Sequence, residues 1–181
     1  MMARAHPTPG LRPFLPADAP VLAEIFRDSI EELTADDYSE AQQEAWAAVA
    51  DDEEAFARRL GEQLTLVATL DGSVVGFISL AGAEQLDMLY VHPAVAGQGI
   101  GTMLCDAVEK IAANRGTSRL TVDASETARD FFQHRGYVAK QRNTVSCQGE
   151  WLVNTTMEKR LAAQAVAPET PAPQAPKRGA S

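Results

Sequence analysis

Residues 86–107 read LDMLYVHPAVAGQGIGTMLCDA. An apolar run, residues 86–91, leads into His92-Pro93, then into Gly97-Gln98-Gly99-Ile100-Gly101, and then into apolar residues at helical spacing. The order is strand, glycine loop, helix start. Such a segment offers bare backbone N–H groups to a phosphate, because glycine permits close backbone approach and a helix N-terminus carries partial positive charge. The spacing argues against two common phosphate loops. A dinucleotide fingerprint starting at Gly97 needs glycine where Thr102 stands, and a Walker A loop needs lysine directly after Gly101. A nucleotide-binding doubly wound domain is therefore disfavoured, and a plain strand-to-helix turn is the alternative to a phosphate site.

Outward from this stretch, the periodicity predicts alternating elements. Upstream, residues 11–15 read as a short strand, and Asp18 with Pro20 opens a helix over 19–30. Ser39-Glu40-Ala41-Gln42 matches a capping box for a second helix through residue 48, and residues 51–61 form a third. Asp71-Gly72 joins strands 64–69 and 74–80 in a hairpin, and residues 85–91 form the central strand. Downstream, a helix over 100–114 closes at Gly116, a strand spans 120–123, and a helix spans 125–135. Residues 137–147 and 150–157 form a terminal hairpin around Gln148-Gly149. The expected fold is a single α/β (α+β) domain, with a mixed sheet and helices on both faces. The strands flanking the 100–114 helix should run parallel through a right-handed crossover. Residues 1–10 read as a flexible N-terminus, 11–161 as the domain and 162–181 as a disordered Pro/Ala-rich tail.

Composition narrows the class. The 181 residues, 45% of them apolar, suffice for one domain with a real core. No apolar run reaches the ~18 residues of a membrane span, and MMARAHPTPG lacks the apolar core of a signal peptide. Cys105 and Cys147 lie far apart without close ligand partners, so neither a metal site nor a disulfide is expected and the cytoplasm is the expected location. Residues 21–60 hold twelve acids and three bases, so they carry the whole net charge of −9. That balance argues against nucleic acid and anionic membrane as partners. It fits either a rim that attracts a cationic amine or simply solvated helix faces.

The pattern V-x-P-x-x-x-G-x-G-x-G resembles the acetyl-CoA loop of the GNAT superfamily of N-acetyltransferases, whose core is [QR]-x-x-G-x-[GA]. Gly99 and Gly101 match, while Ala96 stands at the Gln/Arg position. Residues 124–137, ASETARDFFQHRGY, are similar to the second signature, with Ser125, Ala128, Phe131, Phe132, Gly136 and Tyr137 in register. The resemblance covers roughly residues 10–160. It implies a GNAT-like domain in which two parallel strands, 85–91 and 120–123, splay apart around the pantetheine arm. It implies acetyl-CoA as cosubstrate, with Leu89, Tyr90, Val91, Gly97, Gln98, Gly99, Ile100, Gly101, Thr102, Ser125, Ala128, Phe131 and Phe132 around it. Many members place a tyrosine at the position of Phe132, where it protonates the departing thiolate. Phenylalanine cannot do so. A thiol of pKa near 8.5 still leaves tolerably without that proton.

The implied reaction is direct attack of a primary amine on the thioester. Presenting a lysine-like amine neutral at pH 7 costs about 4.6 kcal/mol, so a base or base-ordered water is wanted. Asp123, at the end of its strand, is the first candidate base, or else it caps the next helix. Tyr90 is the candidate proton donor, or else a core aromatic. Amides near Tyr90 and Val91 suit a developing oxyanion. Asp87 and Glu84 are weaker candidates, and His92 and His134 weaker still. Glu31, Glu32, Tyr38, Trp46 and Asn154 are expected around a small-molecule or peptide amine acceptor, with Trp46 also readable as packing. GNAT proteins often pair, so a homodimer is possible. The competing reading is a non-catalytic acyl-CoA binding or sensing protein, which Phe132 favours.

Overall fold

The computed structural model describes residues 6–162. Half of the 1–10 stretch and nearly all of the tail, residues 1–5 and 163–181, lie outside the described residues. Strand β1 (Pro9–Pro13) is followed by α1 (Ala19–Leu33), α2 (Glu40–Ala47), α3 (Glu53–Glu62), β2 (Leu64–Leu70), β3 (Ser73–Ala81) and β4 (Gln85–Val91). Then come α4 (Ile100–Asn114), β5 (Arg119–Ser125), α5 (Arg129–His134), β6 (Val138–Cys147) and β7 (Glu150–Arg160). The seven strands form one sheet in the order β1-β2-β3-β4-β5-β7-β6. All neighbours are antiparallel except β4 and β5, the two strands joined through α4.

Each face of the sheet has its own core. On one face Leu104, Cys105, Val108 and Ala112 of α4 pack on Ile78, Leu80, Leu86, Leu120 and Val122, with Phe132 and Tyr137 closing the end. On the other, Leu22, Phe26 and Ile30 of α1 and Phe56 and Leu60 of α3 pack on Val67, Phe77 and Met88. The β2–β3 and β6–β7 hairpins turn through left-handed pairs, Asp71-Gly72 (φ 49° and 83°) and Gln148-Gly149 (φ 48° and 86°), the geometry whose twist matches paired strands. The capping box forms, with the Ser39 Oγ accepting from Gln42 N–H at 3.2 Å and Gln42 Oε1 accepting from Ser39 N–H at 2.9 Å.

Three expectations change. The first strand lies two residues earlier than 11–15 and enters the stretch read as flexible, because Pro9 pairs opposite Leu70. Asp18 does not cap α1; Arg12 takes both its carboxylate oxygens, at 2.7 and 2.8 Å, and Leu15 N–H a third bond. The helix expected over 125–135 begins only at Arg129. Pairing with β7 as far as Ser125↔Asn154 holds the backbone extended, and a turn follows in which Ala128 N–H reaches Ser125 O and Oγ, both at 3.1 Å.

Candidate active site

The site begins with a failure of pairing. Strands β4 and β5 share register only at Gln85↔Thr121 and Leu86↔Val122. Just beyond, β4 carries a bulge against β3: Ser79 opposes Met88 and Leu80 opposes Leu86, leaving Asp87 without a partner. A bulge bends its strand and strengthens its twist, which carries the rest of β4 away from β5. A cavity of about 170 Å³ opens between them, lined by Leu89, Tyr90, Val91, Ser125, Ala128 and Phe132 among others. From Asp87 onward the β5-side edge of β4 has no strand partner, an edge that an extended ligand arm can join.

The glycine loop follows at the exit of β4. His92 Nδ1 accepts from Ala94 N–H at 3.1 Å and so caps a short turn, Pro93–Val95. Gly97 (φ +75°) and Gly99 (φ +87°) then turn the chain in left-handed conformations that L side chains rarely adopt. Gly99 is the N-cap of α4 and no side chain caps that helix. Because the ladder into α4 starts with Met103 N–H to Gly99 O at 3.0 Å, the amides of Ile100, Gly101 and Thr102 lie ahead of it. Residues 97–102 lie beyond Val91 and do not line the gap itself. Phe131 sits behind the loop, where a Cβ on Gly101 would meet its ring at 3.5 Å. Gly76 was missed in the sequence; a Cβ there would stand 3.0 Å from Tyr90 O and 3.4 Å from Ile100, so it lets β3 pass close under the start of α4.

A second cavity, about 290 Å³, adjoins the first and shares Trp46, Asp87, Tyr90, Asp123 and Ser125 with it. Tyr90 packs among Phe26, Phe77 and Trp46, with ring centroids at 4.6, 5.7 and 6.4 Å. Burial pushes its phenol above the ordinary value of 10.0, the Trp46 indole opposing part of the effect, so Tyr90 stays protonated. Asp123 is exposed at the sheet surface and accepts from the Thr156 hydroxyl at 2.6 Å, while Asn143 donates to Thr156 Oγ1 at 2.8 Å. Asp123 forms no ion pair with any described residue.

The remaining candidates separate clearly. Asp87 reaches both cavities but is held by Arg59 at 2.6 and 2.8 Å and by Gln63 at 2.8 Å. Glu84 lies before β4, beside Arg119, at the closed end of the seam. Glu31 and Glu32 are exposed and line neither cavity; Leu33 and Thr34 reach the gap instead. Tyr38 is buried, its hydroxyl donating to Val153 O at 2.6 Å and accepting from Glu126 N–H at 2.9 Å, so it is a strut whose side borders the second cavity. Trp46 and Asn154 line that cavity, the Asn154 Oδ1 accepting from Asn143 at 2.9 Å. His134 is exposed on α5, outside both cavities, with Nδ1 2.6 Å from Asp130 O.

Among the described residues no helix is long and apolar enough to cross a membrane, and no three His, Cys, Asp or Glu side chains group as a metal ion would require. The chain is 63% identical to a GCN5-related N-acetyltransferase of known crystal structure from Rhodopseudomonas palustris, with a TM-score of 0.84 over 89% of this chain and 99% of that one. It is 33% identical to the uncharacterized N-acetyltransferase YafP of Escherichia coli K12 across 147 residues, 81% of this chain and 93% of the relative. The PaiA N-acetyltransferase of Thermoplasma acidophilum, solved with coenzyme A, shares the fold at 22% identity and a TM-score of 0.71, over 84% of this chain and 99% of that one. Residues 34–161 match the family described as acetyltransferase (GNAT) domain, and the chain belongs to that superfamily of N-acetyltransferases.

Proposed function

We propose that the chain transfers an acetyl group from acetyl-CoA to a primary amine, with the coenzyme in the β4–β5 gap and the acceptor in the second cavity. The observation that carries this reading is the seam itself: two paired registers, then an opened strand edge that leads to uncapped glycine-loop amides. The amides of Gly97 and of residues 99–102 suit the diphosphate, Gln98 N–H being taken by Val95 O at 3.3 Å, and the free edge of β4 at Leu89–Val91 suits the pantetheine arm. Coenzyme A in the PaiA structure supports the same choice of ligand. Acetyl-CoA supplies an activated thioester carbonyl.

The residues around that carbonyl divide the remaining work. Asp123, free of cationic partners and oriented by Thr156, accepts the proton that the amine must lose. Tyr90, which lines both cavities, takes the donor role that Phe132 cannot fill. Phe132 is 2% exposed and packed against Phe131 and Tyr137, with centroids at 5.2 and 5.1 Å, so it serves as a wall of the gap. Overall an ammonium ion loses two protons, one to solvent through Asp123 and one to the coenzyme thiolate, as a C–N bond forms and the C–S bond breaks.

Thermal-shift titration with acetyl-CoA, CoA, NAD and ATP tests the binding half, and stabilisation by the coenzyme A species alone is expected. Thiol release from acetyl-CoA with a panel of amines tests the chemistry. Tight coenzyme binding with no release across the panel would instead establish an acyl-CoA sensor.

A further inference from the structure

We infer that the acceptor is a small monoamine carried on an apolar, ring-sized body, such as an arylalkylamine, and that polypeptide amines and polyamines are excluded. This rests on the reading above and concerns the second cavity alone. Two observations carry it.

The first is the seam between α2 and the terminal hairpin. Gln42 Nε2 donates to Trp151 O at 2.7 Å, and the Tyr38 hydroxyl donates to Val153 O at 2.6 Å. Cys147 Sγ contacts Ala45 O at 3.4 Å. These bonds hold β7 and the end of β6 against the helical side. They also occupy the outward carbonyls of Trp151 and Val153. An extended peptide needs a groove with free backbone partners along it, and on the β7 side the carbonyls of Trp151 and Val153 are already taken. What remains is a cavity of about 290 Å³, at the small end of the range for ligand pockets.

The second is the count of unmatched charge on the cavity wall. Phe26, Trp46, Tyr90, Val49 and Leu152 supply apolar and aromatic surface. Of the polar groups, Asp87 and Arg59 neutralise each other, and Asn154 is paired with Asn143. Asp123 alone faces the cavity as a carboxylate without a cation. One ammonium is matched there. A second charge on the same ligand would be desolvated against apolar walls without a partner, which is costly. The aromatic faces favour a flat apolar body beside that single ammonium.

The test compares 2-phenylethylamine, spermidine and a lysine-containing peptide with a free N-terminus in the thiol-release assay. Calorimetric binding of each to the protein saturated with coenzyme A runs alongside. The expected result is kcat/KM at least 100-fold higher for 2-phenylethylamine than for either competitor, with measurable binding of that amine only. Val49→Trp, which fills the second cavity and lies outside the gap, should raise the KM for 2-phenylethylamine tenfold or more. The KM for acetyl-CoA should stay within twofold. Leu152→Ala, on the opposite wall, should weaken binding of the same amine without blocking it. Peptide or spermidine turnover equal to or above that of 2-phenylethylamine overturns the inference and leaves acetyl transfer standing. So does an unchanged KM for 2-phenylethylamine in both variants. Absence of turnover and binding for all three, with acetyl-CoA still stabilising the protein, overturns the inference and the proposed transfer together.

Discussion

The loop over residues 93–102 and the cavity under the terminal hairpin are built from different materials. The loop is backbone: two left-handed glycines and a helix start that no side chain caps. The cavity is side chain: Phe26, Trp46, Arg59, Tyr90, Asp123 and Leu152 reach it from α1, α2, α3, β4, β5 and β7. A backbone site tolerates changes of side chain but not of φ. A side-chain site tolerates small movements of the chain but not the loss of one functional group. Substitutions in the two regions should therefore fail in different ways.

The largest effect belongs to the cavity. Asp123→Asn keeps the shape and the Thr156 hydrogen-bond partner while removing the proposed proton acceptor. Its kcat should fall about 100-fold or more, the usual scale of general-base loss. The Kd for acetyl-CoA should hold within about twofold by calorimetry. An unchanged kcat and pH–rate profile would remove Asp123 from the mechanism. In the loop, Gly99→Val should do the reverse. A Cβ at Gly99 meets nothing within 4 Å, so the effect is expected from forcing a β-branched residue to φ +87°. That strain is on the order of 1–2 kcal/mol, and acetyl-CoA affinity should weaken about tenfold with kcat at saturation nearly retained.

Tyr90 belongs to the cavity and also to the core, so it sharpens the comparison through pH. Burial raises its phenol above 10.0, and burial raises Tyr38 and Tyr137 as well. Each is neutral in both folded and unfolded chains below pH 10, where its contribution to stability is fully present. Above that, the unfolded chain releases its protons first, and stability falls as pH rises toward the folded-state values. Urea unfolding should give a free energy that these groups leave level up to about pH 10 and lower beyond it. Tyr90→Phe should make the alkaline fall shallower and reduce kcat about tenfold at neutral pH. Retention of full turnover would leave Tyr90 as a core aromatic only.

The same division explains what could be read from the chain. Strand Gln85–Val91 and helix Ile100–Asn114 were legible to the residue, because apolar periodicity and glycines mark their ends. The glycine loop between them was legible as a close backbone approach, while the left-handed conformations of Gly97 and Gly99 came only with the structure. The bulge at Asp87 was not. Its only trace is a register shift against β3, a property of two strands together, and QLDMLYV reads equally well as an unbroken strand. Tyr38 was expected to line the acceptor space and does border the second cavity, but its hydroxyl is committed to Val153 and Glu126, partners 115 and 88 residues away. Nothing local records bonds of that range. Glu31 and Glu32 misled through charge alone: acids drawn to solvent look the same in sequence as acids around a cation.

The smallest effect tests the loop's material most directly. Ala96 stands where the family signature has glutamine or arginine, and in this structure it is exposed, its N–H bonded to Pro93 O at 3.2 Å. If backbone amides do the holding, restoring the long side chain adds little. An exposed charge near a phosphate is worth roughly 0–1 kcal/mol and is screened by salt. Ala96→Arg should therefore tighten acetyl-CoA by about twofold at low ionic strength and by less at 0.15 M. The corresponding Ala96→Gln, without charge, should be nearly silent in both. A tenfold gain from either variant would mean that side chains at position 96 share the diphosphate with the amides, and the sharp division between a backbone site and a side-chain site would no longer hold.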